Sequence, residues 1–108
     1  MSADVQLLLC TCPDQATAES LAEDLVGTGL AACVNILPGL LSVYRWQDQV
    51  ETADEVLMLI KTTAARVAEL TAHIEQQHPY DVPEVIASPI VGGLEAYLDW
   101  VRTCTTAS

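Results

Sequence analysis

The sequence is poor in positive charge, and this shortage excludes several classes of partner. Four basic residues stand against 15 carboxylates among 108 residues, which gives a formal net charge of −11. A surface this acidic repels phosphate backbones and anionic lipid. We therefore expect neither a nucleic acid nor a membrane among the partners of the chain.

Targeting and membrane-spanning patterns are missing too. No positively charged region precedes an apolar stretch at the N-terminus, and no apolar run approaches the ~20 residues of a membrane span. These features predict a cytoplasmic protein. Its four cysteines are then expected to be reduced thiols, because cytosolic disulfides are uncommon.

The sequence also has no recognisable catalytic motif. It contains no G-x-S-x-G, no H-E-x-x-H, no glycine-rich phosphate loop and no paired-carboxylate spacing. We therefore expect no enzymatic activity and no organic cofactor.

What the chain does have is a high apolar content, 51% of its residues, in a length that suits one domain. We expect a single domain over 1–108, with its core at about 5–103. The patterning predicts strands at 5–10, 30–46, 50–62 and 83–88, and helices after Asp14, from Thr63 to His78, and around 94–101. The order β-α-β-β-α-β plus a C-terminal helix predicts an α+β protein of the ferredoxin-like type, with two helices on one face of a four-stranded antiparallel sheet.

Two predicted strands are apolar on both faces. The stretch 5–10 is interrupted only by Gln6, and 56–60 has no polar residue. Two helices can cover only one face of a sheet. In a monomer the other face would meet water, so apolar and polar residues should alternate along each strand. These strands therefore predict a homo-oligomer.

The segment Cys10-Thr11-Cys12-Pro13 lies where the first strand meets the first helix. Two thiols near each other can bind a soft metal ion, but Cys10 can equally end a buried strand as a small apolar side chain. We expect Cys10 and Cys12 to point to opposite sides, so that joint ligation of one ion would require a sharp turn of the loop.

Two histidines and two carboxylates are the other polar residues of interest. His78 either caps the end of its helix or coordinates a divalent ion, whereas we expect His73 to be solvated. Glu84 begins an apolar strand and needs a partner, for which Lys61 or a cluster of amides is a candidate. Glu55, inside the long hairpin, needs a partner for the same reason.

Several blocks of sequence, in this order, resemble the CutA family of divalent-cation tolerance proteins over about residues 7–101. The blocks are Cys10-Thr11-Cys12-Pro13-Asp14, Leu30-Ala31-Ala32-Cys33-Val34-Asn35-Ile36 followed by Pro38-Gly39, Ser42-Val43-Tyr44-Arg45-Trp46-Gln47, Glu55, Lys61-Thr62, His78-Pro79-Tyr80-Asp81-Val82-Pro83-Glu84 and Tyr97-Leu98-x-Trp100.

This resemblance implies a non-catalytic homotrimer, assembled through the long hairpin in the manner of the signal-transducing PII proteins. It implies tolerance to divalent metal ions, with Cu(II) or another divalent cation bound by Cys10 and His78. Gln77 stands where bacterial relatives place a second histidine, and glutamine is a poor Cu(II) ligand. The expected binding is therefore weak.

An alternative function is a PII-like sensor or scaffold, in which metal binding is incidental. A small ligand or partner would then occupy a cleft between subunits. The residues expected to line that cleft are Cys33, Trp46, Lys61, Tyr80 and Glu84.

Overall fold

The computed structural model describes residues 4–106. Its strands are β1 (Val5–Cys12), β2 (Cys33–Trp46), β3 (Gln49–Thr63) and β4 (Val85–Pro89). Its α-helices are α1 (Gln15–Gly27), α2 (Val67–Gln77) and α3 (Glu95–Cys104), and a short 3-10 turn at Ala64–Arg66 precedes α2. None of the helices described is long and apolar enough to cross a membrane.

The four strands form one antiparallel sheet in the order β2-β3-β1-β4. Strands β1 and β3 occupy its centre and pair over the whole length of β1, from Val5 opposite Thr63 to Cys12 opposite Val56. This topology and the order of elements confirm the predicted α+β, ferredoxin-like fold. The first strand is longer than predicted, because it continues from Cys10 to Cys12.

Helix α1 begins where the sequence predicts. The carboxylate Oδ1 of Asp14 accepts a hydrogen bond of 2.8 Å from the backbone N–H of Thr17, which caps the helix. The helix buries Ala18, Leu21 and Leu25. It ends just before Gly29, which adopts a left-handed conformation with φ of 76°.

Strands β2 and β3 form a long hairpin closed by a two-residue turn. Gln47 and Asp48 both have positive φ, at 50° and 65°, as the turn of a tight hairpin requires. The pairing shifts between Leu37 and Leu40, so that Pro38 and Gly39 form an irregularity within β2. The hairpin makes the chain elongated, with extents of 44 × 25 × 22 Å.

The helices cover one face of the sheet and leave the other open. In β3, Val56, Met58 and Ile60 are buried against the helices, whereas the alternate residues Leu57 and Leu59 are only partly buried. Leu37, opposite Leu57 in β2, is 53% exposed on that side. We call this uncovered side of the sheet the open face. Farther out along the hairpin, beyond the reach of the helices, Leu41, Val43 and Val50 on the opposite side are exposed as well, by 63%, 64% and 72%.

Helix α3 buries only part of the segment 94–101 for which a helix was predicted. Leu98 and Val101 are buried, where they pack with Val5 and Ala32, but Leu94 and Tyr97 are exposed. Leu94 lies before the helix begins, so it does not share the buried stripe.

Asp14→Ala should lower the melting temperature at pH 7, because the first turn of α1 loses its cap. The bond to the Thr17 N–H holds the pKa of Asp14 below its ordinary value of 3.8. A carboxyl with a lowered folded-state pKa stabilises the fold above its unfolded-state pKa, and loses that effect as the pH falls through the folded-state pKa. The difference between wild type and Asp14→Ala should therefore shrink in acid.

The control for this measurement is Asp14→Asn, which keeps an acceptor oxygen but does not titrate. Thermal unfolding followed by circular dichroism between pH 7 and pH 3 compares the three proteins. A gap between wild type and Asp14→Ala that stays constant with pH would contradict the assignment of the cap.

Candidate functional site

Three possible metal ligands meet where β1 ends. One ligand atom each from Cys10, Cys12 and His78 lies within 4.8 Å of the other two, and all three residues are buried. The expectation that the two thiols point to opposite sides was wrong. Strand β1 continues to Cys12, and residues two apart in a strand share a face.

The imidazole of His78 is fully hydrogen-bonded in the fold. Its Nε2 lies 2.8 Å from the carbonyl oxygen of Thr11, which can only accept, so Nε2 carries the proton. Its Nδ1 accepts a hydrogen bond of 3.1 Å from the backbone N–H of Tyr80. The ring is thus a neutral imidazole with both nitrogens engaged. It joins the end of β1 to the segment after α2, and does not cap the helix carbonyls.

The two thiols are withdrawn from solvent. Cys10 and Cys12 have no exposed surface, and both belong to the apolar core under α1 and α2. The hydrogen bond with Cys12 and burial together raise the pKa of Cys10 above its usual range. Cys10 is therefore a protonated thiol at neutral pH, and a buried thiol in this form is unreactive.

A second feature is a cleft of about 560 Å³ on the chain surface. Three of the residues predicted for a ligand cleft line it: Trp46, Tyr80 and Glu84. They are joined there by the nearly buried Glu55, whose Oε2 accepts a hydrogen bond of 2.7 Å from the hydroxyl of Tyr80. Burial and this hydrogen bond raise the pKa of Tyr80.

The other two predicted cleft residues lie elsewhere in the chain. Cys33 and Lys61 face each other across β2 and β3, and neither lines the cleft. The ammonium of Lys61 contacts the side-chain oxygen of Asn35 and lies 3.8 Å from the Cys33 sulfur. Lys61 therefore does not pair with Glu84, which is exposed, and that expectation was wrong.

A shallower groove of about 740 Å³ runs between α1 and the end of α2. Asp24 and Gln77 line it, and the carboxylate of Asp24 is hydrogen-bonded to the His73 ring beside it. His73 is therefore not simply solvated, as predicted, but links the two helices. The groove is larger than the cleft, yet no cysteine or histidine of residues 4–106 lines it, and its carboxylates are exposed.

The sequence as a whole matches known proteins. The family model described as "CutA1 divalent ion tolerance protein" matches residues 6–104. The chain belongs to the CutA1 family.

Two bacterial relatives of this CutA1 chain match over nearly their whole length. The divalent-cation tolerance protein CutA of Pectobacterium atrosepticum is 47% identical over 99 residues, which cover 92% of this chain and 90% of that protein. The corresponding protein of Thermus thermophilus is 46% identical over 100 residues, covering 93% of this chain and 97% of that protein. The crystal structure of CutA from Xylella fastidiosa superposes with a TM-score of 0.93 at 45% identity, covering 95% of this chain and 99% of that one.

Two residues of the CutA1 sites were missed from sequence. Cys12 was not predicted as a ligand, because the predicted first strand ended at residue 10. Side chains alternate between the two faces of a strand, so extending β1 to Cys12 places its thiol on the same face as that of Cys10. Glu55 was noticed as a carboxylate inside the hairpin, but nothing local in the sequence shows that Tyr80, 25 positions away, bonds to it.

His78→Ala should destabilise this CutA1 protein by about 2 kcal/mol or more, because it leaves the Thr11 carbonyl and the Tyr80 N–H without a partner in a buried place. Guanidinium unfolding at fixed protein concentration, with EDTA present, measures the loss without any metal contribution. His73→Ala is the matched control, since its partly exposed contact with Asp24 is worth about 1 kcal/mol or less whether or not the ring is charged. Equal effects of the two substitutions would contradict the structural role of His78.

Proposed function

We propose that this chain is a non-catalytic, cytoplasmic homotrimer of one CutA-like domain per subunit (1–108), which contributes to divalent-cation tolerance by binding such ions weakly. The observation that carries the metal role is the convergence of Cys10, Cys12 and His78 within 4.8 Å. Family membership, through the divalent ion tolerance protein whose model matches residues 6–104, supports the same role.

The donor atoms of Cys10, Cys12 and His78 are of the types that bind copper, but both ring nitrogens of His78 are already hydrogen-bonded. Two sulfurs and an imidazole are ligands for a soft or borderline ion. Ligation through His78, however, must displace either the Tyr80 N–H or the Thr11 carbonyl, and the thiols must first lose their protons. Gln77 is exposed and adds no imidazole. These costs support weak binding that requires the 78–84 segment to open.

The homotrimer is supported by the open face. Its partly buried leucines Leu57 and Leu59 lie beside the exposed Leu37. On the opposite side of the outer hairpin, beyond the helices, Leu41, Val43 and Val50 are exposed too. Clusters of exposed apolar side chains are typical of an interface rather than of a monomer surface. In a PII-like trimer the neighbouring subunits would cover them.

Wild-type protein should sediment at three times the chain mass of 11.6 kDa at micromolar concentration. Leu41→Glu, 63% exposed on the outer hairpin in the single chain, should shift the equilibrium to lower mass, because a carboxylate would become buried at the interface. Val26→Glu is the matched control on the outside of α1, and should leave the mass unchanged. A stable monomer of the wild-type protein would refute the assembly.

Cys10→Ser, Cys12→Ser and His78→Ala should each lose most of the Cu(II) binding measured by equilibrium dialysis. Cobalt(II) absorption provides a second reading without thiol oxidation, because thiolate ligation gives an intense charge-transfer band. Cys104→Ser is the control, since that cysteine is exposed on α3. If Cys10→Ser and His78→Ala both bind Cu(II) as wild type does, the site is rejected.

A small-ligand sensor is the second candidate function, and the cleft favours it. Trp46, Tyr80 and Glu84 line a cavity of about 560 Å³, a size typical of small-molecule sites. Metal binding would then be incidental to the role of the protein.

A further inference from the structure

The cleft contains a buried negative charge without a cationic partner. Glu55 is only 9% exposed, and its one contact within the described chain is the hydrogen bond from the Tyr80 hydroxyl. A neutral hydroxyl relieves only part of the cost of burying a carboxylate. Glu55 therefore holds charge that a bound cation could balance.

The basic residues of this chain do not supply that cation. Arg66 pairs with Glu69, and Arg102 pairs with acidic neighbours including Asp99. Lys61 lies six residues farther along β3 than Glu55, and its ammonium contacts Asn35. Arg45 is exposed and is not among the residues that line the cleft.

The remaining walls of the cleft also favour a cation. Aromatic rings come from Tyr44, Trp46 and Tyr80, and two further carboxylates come from Asp81 and Glu84. Aromatic faces attract ammonium groups, most strongly tryptophan, and rings combined with carboxylates are how proteins recognise quaternary ammonium ligands. No lysine or arginine lines the cleft to offset this attraction.

The arrangement suits an organic cation better than a metal ion. A metal requires several ligand atoms close together, and in residues 4–106 the only such group of three or more is Cys10, Cys12 and His78. The carboxylates of Glu55, Asp81 and Glu84 do not converge in this way. The cleft is also far larger than one ion, and Val43 and Val82 give it apolar walls.

We propose that this cleft binds a small organic ammonium cation, with the charge paired to Glu55 and the alkyl groups against the aromatic wall that begins at Tyr80. The inference rests on the small-ligand candidate above and names its ligand class. Quaternary or alkylated ammonium is favoured over a hydrated metal ion because its charge is spread over apolar methyl groups, which match aromatic walls.

Choline and its neutral isostere 3,3-dimethyl-1-butanol provide the test. Each is titrated into the assembled protein in EDTA at constant ionic strength, and binding is read from the indole N–H signal of Trp46 in NMR spectra. Trp46→Phe assigns that signal. Choline should bind at least about tenfold more tightly than the alcohol, because only choline carries the charge.

Glu55→Gln should remove most of this tenfold preference. The amide oxygen can still accept the Tyr80 hydroxyl, so the cleft keeps its shape while losing its charge. Glu75→Gln, an exposed carboxylate on α2 that does not line the cleft, makes the same change in net charge and should keep the preference.

The outcomes distinguish the proposal of a ligand cleft from the proposal that it prefers an organic cation. Equal affinity for choline and the alcohol overturns the charge preference but keeps the ligand cleft. Binding of neither overturns both, as when a second copy fills the cleft. Displacement of choline by an equal concentration of MgCl₂ at the same ionic strength overturns the preference for an organic cation.

Discussion

The two hydrogen bonds of one buried imidazole hold the functional region together. His78 donates to the carbonyl of Thr11 at the end of β1 and accepts from the N–H of Tyr80 in the segment after α2. The side chain of Tyr80 is thereby placed against the His78 ring, with centroids 4.7 Å apart, and its hydroxyl reaches Glu55 on β3. A single side chain thus positions three elements that are distant in sequence.

The open face imposes the second constraint. Because α1 and α2 cover only one side of the sheet, the apolar residues that alternate to the other side, such as Leu57 and Leu59, are not buried by these helices. The same alternation of side chains along the strands determines where the two candidate sites lie. Cys10 and Cys12 share the covered face with Met58 and are withdrawn into the core, whereas the cleft opens beside the hairpin, where the helices do not reach.

Much of the fold could be predicted from sequence, because its signals are local. The cap at Asp14, the stripe of α1, the polar turn at Gln47 and the stop at Pro79 each depend on a few neighbouring residues. Positions fixed by pairing between residues far apart in the chain could not be predicted. Cys33 and Lys61 face each other because of the register of β2 and β3, and so neither reaches the cleft with Trp46. The partners of His78 and His73 lie 67 and 49 residues away.

The candidate metal site and the candidate ligand cleft are not independent in this chain. Any ligand that takes the Nδ1 lone pair of His78 competes with the backbone N–H of Tyr80, because that lone pair already accepts a hydrogen bond. Releasing Tyr80 would also release its hydroxyl from Glu55, and so would change the charge and the shape of the cleft. Thermodynamic linkage is reciprocal, so if metal binding changes the affinity of the cleft for a cation by some factor, the cation must change the metal affinity by the same factor. The short path from Cys10 through His78 and Tyr80 to Glu55 therefore provides a physical route by which metal and small-ligand binding would affect one another.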